Sequence, residues 1–414
     1  MPSNRTELPS KSAKQSSSLA PVIVSARGAA RLRGGHVWVY RSDIVNAQQA
    51  VPGAAVLVRD ERGRNLGTAL YSSSSQIAIR LLTHEALDSF DSVLVLIAGR
   101  IEEAAAYRGR VVRDSDSYRL VFSEADFLPG LIVDRYNDVL SFQVLTQAMD
   151  DHAVRQTIIQ KLINEIKPEA VVERVEAHVR ELEQLPPRET GLAYGSKTAA
   201  VVTMNGVRFH YEAKEGQKTG AFLDQRENYA AAARYAHGEA LDVFCYQGGF
   251  ALHLAPHCSS VTGVDSSRPA LETAERNAAL NADLLGGRDI EWIEANAFDL
   301  LKDYAAAGRQ YDTIVLDPPA FAKSKKALET ALRGYKELNL RALKMLRPGG
   351  VLVTCSCSYH VSDADFLGML GEAAADAHRT VRILEKRGQA GDHPILLNVP
   401  ETAYLKCVVC NVSS

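Results

Sequence analysis

The sequence predicts an α/β protein whose C-terminal half is a doubly wound, mostly parallel sheet, preceded by a small β-barrel and a central α/β unit. Three observations predict this. From residue 241 onward short apolar runs alternate with amphipathic stretches, the pattern in which a helix returns the chain from one parallel strand to the next. Residues 20–90 instead hold β-type runs separated by glycine turns. Residues 91–190 mix amphipathic stretches with β-runs and end in LPPRETG (185–191), where two prolines and a glycine forbid regular structure.

Taken in order, residues 1–19 lack the hydrophobic block of a signal peptide and are expected to form a disordered tail. The barrel, 20–90, is expected to contain strands at 37–40, 54–60, 66–71 and 76–82, with a turn at Glu61-Arg62-Gly63-Arg64. Arg27, Arg31, Arg33 and Arg41 fall in a stretch without an acid, beside His36, Trp38 and Tyr40. Arginines that contact phosphates next to stacking aromatics suit structured RNA; a solvated face over an aromatic core has the same composition. In the central unit, 91–190, a helix is expected over 92–108, strands at YRLVF, GLIVDRY and DVLSFQVL with Asn137-Asp138 as a turn, and a helix over 151–166. In 191–414 the strands expected are 241–245, 261–265, 290–295, 311–317 and 351–355, each followed by a helix, with YLKCVVCNV as the last strand.

A chain of 414 residues with 46% hydrophobic and 23% charged residues can bury a large core. Its formal charge of −3 argues against indiscriminate electrostatic binding to nucleic acid and leaves room only for a regional RNA site. Six cysteines without framework spacing fit a reducing cytoplasm, and no apolar run is long enough to span a bilayer, so no membrane partner is expected. The CxxC of Cys407 and Cys410 sits in an apolar run with no second pair or neighbouring histidines, so no metal site is expected.

Ligands of doubly wound sheets bind outside the carboxyl ends of the strands, so the residues after each strand carry the chemistry. The first strand carries Asp242 and then runs into Tyr246-Gln247-Gly248-Gly249-Phe250, whose paired glycines let backbone approach a ligand. No GxGxxG is present, which disfavours a nicotinamide enzyme. Asp265 ends the second strand, where a carboxylate accepts both hydroxyls of a ribose, whether of NAD or of S-adenosylmethionine. Asn296 and Phe298 follow the third, as an amide for an adenine amino group and a ring to cover the base, or as simple packing.

The stretches KTGAFLDQR (218–226), CYQGGFALHLA (245–255), LDPPAFAKSK (316–325) and TCSCSY (354–359) together resemble the class I methyltransferases of 23S ribosomal RNA, the cytosine-C5 large-subunit methyltransferase I group. The similarity runs through nearly the whole chain: the barrel resembles a PUA domain and FLPGLIVDRYNDVL the central domain of that family. It implies a Rossmann-like catalytic domain with an antiparallel last strand, S-adenosylmethionine as cofactor, and 23S rRNA or a large-subunit precursor as partner, a second copy of the chain being allowed. It further implies Phe222, Asp224 and Arg226 as cofactor contacts, and Asp242, Gly248, Asp265 and Asp317 as cofactor-lining positions. Tyr246, Gly249, Asn296, Phe298 and Pro318 complete that expected site. Ala221 departs from the usual aromatic, and Asn296 stands where an aspartate is more usual.

Carbon 5 of cytosine is too weak a nucleophile to take a methyl group until a thiolate has added to carbon 6. The resemblance assigns that thiolate to Cys357, leaving Cys355 as a packed small residue. Asp317 is expected to hydrogen-bond or protonate N3, and Phe321 to stack on a flipped base. RNA contacts are expected from Arg27, Arg31, Arg33, Trp38 and Phe321. Ala320 occupies the place where many such enzymes carry a second, product-releasing cysteine, so the base that removes the carbon 5 proton is unassigned. Two readings compete with this one. A purine amino-group methyltransferase would use the same DPP turn and need no thiol; an RNA-binding assembly factor would keep the fold without turnover.

Overall fold

The computed structural model describes residues 18–213, 222–322 and 324–414. Nearly all of the expected N-terminal tail, and the Lys218 and Ala221 end of the KTGAFLDQR motif, lie outside the described residues.

The N-terminal unit contains β1 (Ala20–Val24), α1 (Ala26–Arg33), β2 (Trp38–Tyr40), β3 (Ile44–Asn46), β4 (Ala55–Asp60), β5 (Asn65–Tyr71) and β6 (Ile77–Thr83). Its strands form one sheet in the order β2-β6-β5-β4-β1-β3, antiparallel except for β1 beside β4. Helix α1 was not foreseen, because a short arginine-rich stretch shows little apolar period. Ser25 caps it by accepting from the Gly28 amide, and Ala29 and Leu32 turn inward onto Val22, Val56 and Val58.

The central unit holds α2 (Phe90–Val111), β7 (Ser117–Phe122), β8 (Leu131–Tyr136), β9 (Val139–Val144), α3 (His152–Ile166), β10 (Ala170–Glu173), α4 (Ala177–Leu182) and β11 (Gly191–Gly195). The sheet order is β11-β10-β9-β8-β7, with α2 and α3 packing Ile97, Ile101, Ile158 and Leu162 on Val133 and Phe142. β8 and β9 join through Asn137, whose φ of 56° is a left-handed turn conformation that asparagine tolerates. The break at 185–191 does not divide one sheet from the next: β11, placed by the sequence at the start of the last domain, pairs with β10.

A hairpin of β12 (Ala199–Met204) and β13 (Val207–Glu212) lies between this sheet and the next. Its Tyr211 ring stacks on Tyr136 of β8 at 3.6 Å, and its Phe209 joins the core under the C-terminal sheet.

That sheet belongs to α5 (Arg226–Ala233), β14 (Glu239–Val243), α6 (Gly249–Leu254), β15 (Ser260–Asp265), α7 (Arg268–Leu280), α8 (Ala282–Leu285), β16 (Ile290–Glu294), α9 (Ala297–Ala306), β17 (Tyr311–Leu316), α10 (Leu328–Met345), β18 (Leu346–Ser356), α11 (Asp363–Asp376), β19 (Thr380–Arg387) and β20 (Lys406–Ser413). Its order is β16-β15-β14-β17-β18-β20-β19, parallel through β18, with β20 antiparallel to β18 and to β19. Both faces are covered, so the strands are apolar on both sides: in β17, Ile314 and Leu316 face the core with α10 while Val315 faces the core with α6. The chain winds outward from β14 in both directions. The crevice at the carboxyl ends of β14 and β17 is therefore the topological switch point where a ligand site opens.

The segment between β19 and β20 docks back on the central unit through Asp392. This fully buried carboxylate accepts from Arg226 of α5 at 2.8 Å and from the Arg119 amide of β7 at 2.8 Å. Arg108 of α2 donates to the Asp392 carbonyl at 2.8 Å. Burial pushes the Asp392 carboxyl up, but His393, Arg226 and the Arg119 amide together hold it well below the usual carboxylate range.

Candidate functional site

At the switch point lies a cavity of about 270 Å³. The turn after β14 shapes one wall. Phe244 and Tyr246 adopt φ of 68° and 49° there, left-handed conformations that a bulky residue holds only when its surroundings fix them. What fixes Tyr246 is Asp265, whose Oδ2 accepts from the Tyr246 amide at 2.9 Å while its Oδ1 accepts from the Ser267 amide at 2.9 Å. Asp265 thus faces the cavity in a set orientation, with acceptor capacity remaining on both oxygens for a vicinal diol.

Asp242 lies beneath that turn, fully buried. Its Oδ2 accepts from the Ala251 amide at 2.8 Å, and its Oδ1 has no partner among the described residues. Desolvation, opposed by that amide and reinforced by Asp317 and Asp265, pushes its pKa up to about 8. An orphaned acidic oxygen under a strand-end turn is what a polar, cationic ligand group would satisfy.

Asp317 lines the opposite wall with Pro318, and Gln225 donates to its Oδ1 at 2.9 Å. Cys357 lines the same cavity just beyond the end of β18, with Sγ 4.0 Å from the Pro318 carbonyl. Of the six cysteines, Cys357 is partly exposed and the other five are buried. Cys355, fully buried, sits across from Cys407 between β18 and β20, as a packed small residue does. The rings of Phe222 and Tyr246 meet edge to face at 5.0 Å, and Asp224, held by the Tyr404 hydroxyl at 2.6 Å, completes that side.

Phe222, Asp224, Tyr246, Gly249, Asp265, Asp317, Pro318 and Cys357 therefore converge on one cavity. Other expected contacts do not: Asp242, fully buried beneath the turn, and Gly248 are not among the residues that line it. Arg226 is turned away from the cavity and buried against Asp392. The Asn296 oxygen caps α9 by accepting from Phe298 and Asp299 amides. Phe298 and Phe321 pack against each other at 6.0 Å, and Phe321 against Tyr335 at 4.7 Å, an aromatic row in the α10 core and not among the residues that line the cavity. The glycine pair serves packing more than ligand approach: a Cβ on Gly248, at φ +85°, would meet Trp292 at 2.8 Å, and one on Gly249 would meet the Tyr229 ring at 2.5 Å.

The expected RNA contacts are also partly committed. Arg27 pairs with Asp43 at 2.7 Å, and Arg33 pairs with Asp60. Trp38 donates from Nε1 to Glu124 of the central unit at 3.0 Å, tying two units together. Arg31 lies over the Tyr40 ring at 4.5 Å, a cation–π pair.

Gln225, Tyr229, Phe244, Ser266 and Leu405 line the cavity and were not singled out. Gln225 stood inside a recognised motif, whereas Leu405 reaches the cavity from the start of the last strand, with no local signal. Among the described residues no cluster of His, Cys, Asp and Glu could hold a metal ion, and no helix is long and apolar enough to cross a membrane.

Comparison with known proteins bears on both halves. Residues 22–84 match a PUA-like domain and residues 191–409 an S-adenosylmethionine-dependent methyltransferase. The chain is 38% identical to ribosomal RNA large subunit methyltransferase I of Shewanella denitrificans over 385 residues, 91% of this chain and 95% of that protein. It is 38% identical to the protein of the same name from Photobacterium profundum over 390 residues, 92% and 96% of the two. Among solved structures, a proposed SAM-dependent methyltransferase from Streptococcus mutans superposes with a TM-score of 0.79 at 17% identity, over 95% of this chain and 100% of that one. A proposed methyltransferase complexed with SAH superposes with a TM-score of 0.80 at 18% identity, over the same shares. These likenesses establish the fold.

Proposed function

The chain belongs to the ribosomal RNA large subunit methyltransferase I family, and from that premise we propose that it methylates carbon 5 of a cytosine in large-subunit ribosomal RNA, the 23S molecule or its precursor, with Cys357 as nucleophile. Its cofactor is S-adenosylmethionine. When bound, the cofactor supplies an electrophilic methyl group on a sulfonium sulfur. Asp265 would hold its ribose and Asp242 its amino group, with the Phe222 and Tyr246 rings alongside.

The observation that carries the proposal is Cys357, partly exposed and sharing one cavity with Asp317 and Pro318. The Cys357 thiolate adds to carbon 6 of the base while Asp317, protonated and oriented by Gln225, donates a hydrogen bond to N3 and draws charge off the ring. Carbon 5, now enamine-like, takes the methyl group in line; loss of its proton then expels the thiolate and restores the ring. With Ala320 after the prolines, that proton passes to water or to a group not yet assigned.

A second reading is favoured by Asp317 and Pro318 themselves: a carboxylate and a carbonyl side by side at a strand end can orient the exocyclic amine of a purine, with no role for a thiol. Nucleoside analysis of RNA methylated in vitro separates the two: 5-methylcytidine is expected, and an N-methylated purine overturns the proposal. Cys357→Ala is expected to lower methylation on the order of 10³-fold or more while sparing cofactor binding. RNA containing 5-fluorocytidine should trap the wild-type enzyme and Cys355→Ala covalently. An adduct kept in Cys357→Ala and lost in Cys355→Ala would reverse the assignment.

A further inference from the structure

Lys406 opens β20 and pairs across the sheet with Ser356, the last residue of β18. Its side chain reaches past that pair to the turn that carries Cys357. The residue is 8% exposed, and Nζ donates to the Ser358 carbonyl at 2.8 Å and to the Tyr404 carbonyl at 3.0 Å. An ammonium is costly to bury, and carbonyl oxygens offset that cost only in part, so a lysine held there invites a reason beyond packing. The reason is close at hand: the Ser358 carbonyl belongs to the residue next to the nucleophile, and Leu405, next to Lys406, lines the cavity with Cys357.

We infer that Lys406 is a positioning residue for Cys357, fixing the turn beyond β18 through the carbonyl of the residue after the nucleophile and bringing to that turn a positive charge that favours the ionised thiol. The inference rests on Cys357 being the nucleophile. Its chemistry is a single ionisation: the S–H bond breaks, the electron pair stays on sulfur and the proton goes to solvent. Three of the groups described around the sulfur bear on its charge. Asp317 lines the same cavity, the Pro318 carbonyl lies 4.0 Å from Sγ and the Tyr335 hydroxyl is buried nearby, and none of these three is a cation. Burial draws the Lys406 pKa down, while Asp363 and Cys357 act in the opposite sense.

The test reads the thiol directly. The full-length protein, without RNA, is alkylated by iodoacetamide across a pH series, and modification of the Cys357 peptide is followed by mass spectrometry with the buried Cys355 as reference. The wild-type midpoint is expected below the value of about 8.5 for an ordinary thiol. Lys406→Met should move it up by roughly one to two pH units, slowing alkylation near neutrality about tenfold or more, and Lys406→Arg should restore most of the shift. A wild-type midpoint at or above the ordinary value overturns the inference even if Lys406→Met fails to fold, and so does a folded Lys406→Met with an unchanged midpoint. Trapping on 5-fluorocytidine RNA keeps the two readings apart. A shifted midpoint with no adduct in any protein retains the Lys406–Cys357 pairing and removes cytosine-C5 chemistry; an adduct with no shift does the reverse.

Discussion

In the N-terminal unit three arginines find acids: Arg27 holds Asp43, while Arg33 and Arg64 converge on Asp60. At the carboxyl ends of β15 and β17, Asp265 and Asp317 line one crevice with Asp242 of β14 buried beneath it, and the donors described for them are amides, of Tyr246 and Ser267, of Gln225, and of Ala251. The difference comes from topology. A small, mostly antiparallel sheet lets a charged side chain meet an opposite charge on a nearby strand or turn, so a run of arginines in the sequence is not a run of uncommitted cations. Parallel strands with helical returns place each strand-end carboxylate at the same rim, facing the same ligand. Asp265 at the rim keeps acceptor capacity for a ligand, whereas Arg27, Arg33 and Arg64 of the small sheet are already paired.

The largest effect that would test this contrast is at Asp265. Asp265→Ala removes a carboxylate expected to take the ribose hydroxyls and should weaken S-adenosylmethionine binding by roughly 1.5–3 kcal/mol, about 10- to 150-fold. Calorimetry showing unchanged affinity would remove Asp265 from the cofactor site.

Asp242 sharpens it from the stability side. Its folded pKa of about 8 lies above the ordinary 3.8, so below pH 4 the group is neutral in both states and contributes nothing. As pH rises from 4 to 8 the unfolded chain ionises first, and the apo protein loses stability across that window. Asp242→Asn should therefore make the apo protein more stable at pH 7, by about 1–3 kcal/mol, and flatten its pH profile, while weakening cofactor binding. Denaturant titration at pH 4 and pH 7 checks this; an equal effect at both would mean that Asp242 is ionised in the fold.

The smallest effect is expected at the paired arginines. Arg33→Ala, whose guanidinium is already committed to Asp60, should weaken RNA binding less than about threefold at moderate salt. Arg31→Ala, which strips the cation from the Tyr40 ring, should weaken it more. A tenfold loss for Arg33→Ala in filter binding would show that RNA displaces Asp60.

The alternation of strands and helices was readable because parallel strands are apolar on both faces, and with it came the strand-end positions of Asp265 and Asp317, while the choice of Cys357 over Cys355 came from the resemblance and Asp242 lies buried beneath the turn. What escaped reading depended on contacts distant in sequence. Arg226 sits in a motif but its partner is Asp392, and Phe298 and Phe321 follow strand ends yet turn into the α10 core because apolar rings there find Tyr335. Helix α1 and strand β11 are too short for periodicity to announce them.

Asp392 bears on how the molecule comes apart. One buried carboxylate takes an amide from the central sheet and a guanidinium from the catalytic unit, while its carbonyl takes Arg108. Melting either unit alone would strand an ionised group inside the other, so the two cannot fray independently at modest cost. Calorimetric unfolding of these two units should be a single cooperative event, and a catalytic half cut loose at residue 190 would be a poor miniature of the whole enzyme.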